Sequence, residues 1–181
     1  MRQISGRQFA LFRVALGVYL AFHFAQLIPY GAELFSNQGM IGDARLNLTF
    51  GIFPNPLAIW DSPECVTTFL AGLTILSLVL AAGIFRRSAA LLLWFGWACL
   101  FNRNNLIINP SLPYIGMLLL LSALVPLGEN WSREKTRPGW RFPPRVYWAA
   151  WSARRGLQLQ RLDEIAQSEL DRRRGAIPHL K

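Results

Sequence analysis

The chain has 181 residues, room for one modest domain and an appendage, with a formal charge of +9. Charge and hydrophobicity are segregated: the long apolar runs fall within residues 8–127, while 12 of the 19 Lys and Arg and 6 of the 10 acids lie in 128–181. This excludes an ordinary soluble domain, whose helices need a polar face, and the lack of zinc-finger spacing or an aromatic-interleaved basic patch before residue 128 excludes nucleic-acid binding.

The first apolar run, QFALFRVALGVYLAFHFAQLIPY over residues 8–30, rises about 33 Å as a helix, matching a hydrocarbon layer of roughly 30 Å. It is too long for a signal-peptide core, and Gln26, Pro29 and Tyr30 supply no small-residue cleavage site, so it reads as a retained first span. Arg13 lies about a turn inside it. Either its side chain snorkels to the headgroups, or it enters a buried ion pair or packing role. Gly17, four residues on, would permit close helix approach. His23 sits about 21 Å along a helix starting at residue 9, beyond the midplane. It reads as an interhelical hydrogen bond, a proton-transfer or ligand group, or a metal ligand; the other histidine, His179, is at the far end of the chain.

Residues 31–65 are rich in Gly, Pro, Asn and aromatics and read as a packed external cap. The second span is 66–85; Arg86 and Arg87 connect it to the third, 88–101. That run reaches spanning length only if the helix continues through Asn102, Arg103, Asn104 and Asn105 to residues 106–108, or if it tilts or the bilayer thins. The fourth span, 114–128, is expected to start near Pro113 and end near Pro126 and Gly128.

Orientation follows from charge. With four spans, Arg2, Arg7, Arg13, Arg86, Arg87 and the basic tail share one face at +11, and the other face carries −2. Positive residues accumulate inside, so both termini are cytoplasmic in a multi-pass protein of the cell inner or plasma membrane. Arg103 opposes this bias. With three amides beside it, the group needs mutual hydrogen bonds or an anionic partner such as Glu33, Asp61, Glu64 or a lipid headgroup. His23, Asn102, Arg103, Asn104 and Asn105 thus form the candidate polar or ligand site. Cys65 and Cys99 fall at similar depth; two independent thiols and a disulfide both remain open. No metal site is expected. Trp94, Trp97 and Phe101 recur on one side of the third span, which packing explains and a quinone slot would extend.

The tail, 134–181, divides into a turn-rich strap and a helical section. Trp148 and Trp151 should anchor an amphipathic helix at headgroup depth, with Arg154 and Arg155 near anionic lipids. The fold class is thus all-α: a polytopic membrane bundle of four transmembrane helices with a cytoplasmic amphipathic helical tail.

The segments LFRVALGVYLAFHFAQL, FSNQGMIG and above all LFNRNNLIINPSLPYIGMLLLLSALVPLGENWS resemble the horizontally transferred transmembrane (HTTM) domain family. Its members are similar to the membrane portion of vitamin-K-dependent gamma-carboxylase. The resemblance covers about residues 6–133 of a domain taken as 1–133 and leaves the tail outside. Asn105 stands where members often have Pro, and Pro110-Ser111 replaces a turn containing Gly and Asp. The carboxylase uses a lysine base on the lumenal side; here the only lysines, Lys135 and Lys181, fall on the cytoplasmic side, so the resemblance does not extend to glutamate carboxylation. It implies a membrane module: a non-catalytic subunit or lipid-binding component. Alternatives are an enzyme component acting with a quinone-like or isoprenoid lipid, and a small transporter subunit. Implied partners are membrane lipids and a protein partner or second copy of the chain.

Overall fold

The computed structural model describes residues 4–47, 50–107, 112–129, 131, 140, 142–144 and 146. The chain divides into two compact units, Met1–Phe142 and Pro143–Lys181. The five α-helices given ranges below belong to the first, and Pro144 and Val146 of the second are also helical. Of the second, the Val146 N–H donates to the Pro143 carbonyl. Trp148, Trp151, Arg154 and Arg155 lie outside the described residues.

The fold is all-α. Helix α1 spans Gly6–Leu27 and opens on a capping box: Ser5 Oγ accepts from the Gln8 N–H while Gln8 Oε1 accepts from the Ser5 N–H. A 3₁₀ turn, Ile28–Tyr30, admits Pro29 and leads into the short α2, Gly31–Phe35. Gly17 lets α1 lie directly on the next long helix, since a Cβ there would stand 2.7 Å from the Ala81 nitrogen. Phe9, Arg13, Leu16, Leu20 and Phe24 are buried along α1, three or four residues apart.

Helix α3 is Pro63–Ala82. Ser62 accepts from the Cys65 N–H, Pro63 takes a first-turn position whose missing N–H costs little, and Glu64 complements the helix dipole. It ends in a Schellman motif: the Gly83 N–H donates to the Leu80 carbonyl and the Ile84 N–H to that of Val79, with Gly83 at φ +73°. Phe85, at φ +45°, turns the chain into α4, Arg86–Arg103. The connection is therefore Gly83–Phe85, and the expected Arg86–Arg87 link is instead the first turn of α4. The glycine in the left-handed region stops α3 earlier than its apolar composition would.

Helix α4 also ends earlier than its extension to residues 106–108 would require. Asn104 is extended at φ −143° and its side chain leaves to bond elsewhere, so the helix stops at Arg103. Helix α5, Leu112–Leu124, carries Pro113 in its first turn and stops before Pro126. The core is aliphatic and aromatic: Leu70, Leu73, Leu80, Leu93, Trp97 and Leu119 join the buried face of α1. Of the residues grouped with the tail or its strap in the sequence, Trp140 stacks on Phe9 at 5.8 Å between ring centroids and Phe142 packs on it tilted, at 5.9 Å.

Among the described residues, two helical stretches are long and apolar enough to cross a membrane: Gly6–Phe35, 30 residues at mean hydropathy 1.6, and Pro63–Ala82, 20 residues at 2.2.

Candidate functional site

Buried polar side chains gather at the two ends of α4. At its start, Arg86 is enclosed, and its Nε lies 2.9 Å from Glu129 Oε1. Arg13 reaches the same carboxylate from α1, with Nε at 3.6 Å. Both guanidiniums also donate to helix ends. Arg13 Nη1 bonds the carbonyls of Leu80 and Ala81 at 2.9 and 2.8 Å, and its Nη2 that of Trp131 at 2.8 Å. Arg86 bonds the carbonyls of Ser122, Val125 and Pro126 at the close of α5. Two cations against one carboxylate leave an excess of positive charge. It faces the C-termini of α3 and α5, each carrying about half a negative charge. Gly83 is part of the same design: a Cβ there would collide with the Arg13 guanidinium. Phe9 completes the enclosure, its ring 5.3 Å from the Arg86 guanidinium carbon.

Of the two readings of Arg13, the structure selects the ion pair. The residue is buried, and both of its Nη atoms donate to carbonyls inside the bundle, so the side chain points inward and does not snorkel. Glu129 escapes sequence reasoning. It stands in PLGEN just beyond α5, where an acid looks like an ordinary tail charge; its one signal is Gly128, at φ +102°, which turns the chain back.

At the far end of α4, Arg103 is buried. Its Nη1 donates to the Ile41 carbonyl at 2.8 Å and its Nη2 contacts Asp61 Oδ2 at 3.3 Å. Of the three carboxylates weighed from sequence, Asp61 is the one in contact. Asn104 Nδ2 donates to the Leu34 carbonyl and its Oδ1 accepts from the Leu106 N–H. Asn102 Nδ2 bonds back to the Ala98 carbonyl, and the Asn102 carbonyl accepts from Asn47 Nδ2 at 2.6 Å. Asn55 Nδ2 donates to the Cys99 carbonyl at 2.9 Å. Asn105 is half-buried in the turn after α4 and shares none of these bonds. The amides thus tie the cap to the last turns of α4.

His23 is not brought into that group. Its imidazole stacks among rings: Tyr19 at 6.1 Å, Phe24 at 5.7 Å and Trp97 at 5.2 Å. Trp97 also lines an apolar groove of about 340 Å³ between α4 and α5, with Trp94, Phe101, Pro113, Gly116 and Met117. Cys65 is exposed and Cys99 buried, and both are free thiols. No group of three or more His, Cys, Asp or Glu suited to a metal occurs among the described residues.

Comparison of the chain with protein-family models, curated proteins and solved structures finds no match.

Proposed function

We propose that this chain is a multi-pass membrane module in which α1, α3, α4 and α5 are the four spans and both termini are cytoplasmic. It serves as a non-catalytic subunit or lipid-binding component of HTTM type. The observation that carries the membrane reading is the outer surface of the helices. Only 33% and 28% of the two long apolar windows are buried within the bundle, whereas the core helix of a soluble protein is mostly covered. Leu11, Phe22 and Ile75 are 62, 64 and 63% exposed. An apolar girdle of this extent calls for a hydrocarbon solvent.

Helix α4, at 18 residues, extends about 27 Å, and α5, at 13, about 20 Å. A short α5 is accommodated by local thinning. An unpaired arginine inside a span costs about 2.5–3.5 kcal/mol, and internal pairing of Arg13, Arg86 and Arg103 answers that cost. The non-catalytic reading rests on these side chains being engaged by the chain's own carbonyls and carboxylates. The kinship with HTTM proteins rests on the sequence segments quoted above.

Alkaline carbonate extraction and single-cysteine labelling test the reading. The protein should stay in the membrane pellet, a cysteine at Arg45 should react with an impermeant maleimide from outside, and one at Arg154 only after lysis. Release by carbonate, or a reactive tail with a protected loop, would overturn it.

A second reading, an enzyme component working with a quinone-like or isoprenoid lipid, is favoured by one observation: the Trp-lined groove and its ring contact to His23. Mass spectrometry of copurifying lipids separates the two. A stoichiometric isoprenoid quinone that disappears in Gly116→Trp would favour the enzyme; ordinary phospholipids alone favour the module.

A further inference from the structure

We infer that residues 52–60 of the cap form a lipid-inserted wedge, seated among the acyl chains of the leaflet at the Arg103 end of the bundle. The inference rests on the membrane reading above and adds a non-helical element to it. The cap is tied to the end of α4 on both sides of this segment, by Asn47 to the Asn102 carbonyl and by Asp61 to Arg103. Between those ties the chain runs down α4. Asn55 bonds the Cys99 carbonyl, about 6 Å below the end of the helix, and the Phe53 ring packs tilted at 5.6 Å on Phe95, about 12 Å below it. Side chains lean toward the helix N-terminus, which carries the Phe95 ring deeper still. Leu57 enters the core.

The segment is chemically fitted to that depth. FGIFPNPLAIW, residues 50–60, carries no charge, whereas Arg45 and Asp61 stand on either side of it. Irregular backbone survives in hydrocarbon only when its polar groups are satisfied within the protein. Pro54 and Pro56 have no N–H to satisfy. The Leu57 N–H donates to Asn55 Oδ1, Ala58 to the Asn55 carbonyl, and Ile59 and Trp60 both to the Pro56 carbonyl. The large side chains left facing outward are Ile52, Ile59 and Trp60, at 79, 78 and 67% exposure, and Pro54 is exposed as well. Two aliphatic groups and an indole, on a loop whose N–H groups from Leu57 to Trp60 are bonded within it, match acyl chains with a tryptophan toward the headgroup boundary.

The test uses the full chain in phosphatidylcholine vesicles, with Cys65→Ser and Cys99→Ala as background. Nitroxide labels are attached at Ile52→Cys and Ile59→Cys, with Leu78→Cys on the outer face of α3 and Arg45→Cys in the cap as references. Each label's collision rates with oxygen and with a water-soluble nickel chelate are measured. All four side chains are exposed, so labelling should leave the melting temperature unchanged, which is checked for each variant. The expected result is an oxygen-to-nickel ratio at positions 52 and 59 several-fold above that at 45 and approaching that at 78. Labels at 52 and 59 that read as water, or are shielded from both reagents as under a protein partner, overturn the wedge while position 78 still reads as lipid. If position 78 itself reads as water, the membrane reading fails and the wedge with it.

Discussion

Arg13, Arg86 and Glu129 form a buried charge group, and such a group is held by the cost of breaking it more than by any net gain on forming it. Glu129→Gln removes the negative charge between two enclosed guanidiniums. It should destabilise the protein in detergent by about 3–5 kcal/mol, read as a lowered melting temperature. Removing both partners costs less than the separate losses imply: Arg86→Met with Glu129→Leu should be more stable than the sum of the single variants predicts, and a double-mutant cycle measures the difference. At the other end of α4, Arg103→Gln should lower the melting temperature more than Arg103→Lys. Lysine retains the charge for Asp61 and loses only the planar fork that also reaches the Ile41 carbonyl. Arg103 was legible in sequence because it opposes the charge pattern that orders the chain. Arg13 and Arg86 were not, because an arginine near a span end looks the same whether it reaches outward or pairs inward. Nothing in the spacing of 13, 86 and 129 announces that they meet.

At the scale of the elements, the lengths of the apolar runs and proline placement predict that the four main helices exist, and single residues of special backbone set where they end. Composition carries the second run through Ile84 and Phe85, but Gly83 ends α3 before them. In the same way, Asn104 leaves the helix to bond the Leu34 carbonyl, which ends α4 short of residues 106–108. Gly83→Ala should therefore destabilise the bundle by more than the roughly 1–2 kcal/mol of left-handed strain, since its methyl also displaces Arg13. Gly72→Ala is the matched control within α3. A Cβ there meets nothing within 4 Å, so this variant should melt at or above the wild-type temperature. The free thiols give a further check. Cys65 should react with a small maleimide in the native protein, and Cys99 only after denaturation.

At the scale of the molecule, the helix-rich architecture and the packed character of the cap follow from the sequence, whereas the division of labour between the ends of α4 does not. One end gathers three helices around a carboxylate; the other sews a loop to a helix with amides. The pairing of distant residues depends on which helix faces lie together, and helices that are apolar all round give no stripe from which to read it. A combined Asn47→Ala, Asn55→Ala variant should separate the two ends. It should open the cap, seen as faster hydrogen exchange over residues 50–60, and leave exchange in α1 and α3 unchanged.

The position of Glu129 along the chain has a bearing on biogenesis. Arg13 and Arg86 are synthesised well before it, and α5 lies between, so for a time on the order of seconds the nascent protein holds two arginines without their carboxylate. On the proposed membrane reading, until residue 129 emerges α1 and α4 have reason to keep those guanidiniums in water or among headgroups, and the pairing of α1 with α3 stays provisional. The last helix then acts as a latch on those made earlier. A chain stopped at residue 128 should insert its helices yet remain open to proteolysis near Arg13 and Arg86, whereas one stopped at residue 142 should resist it.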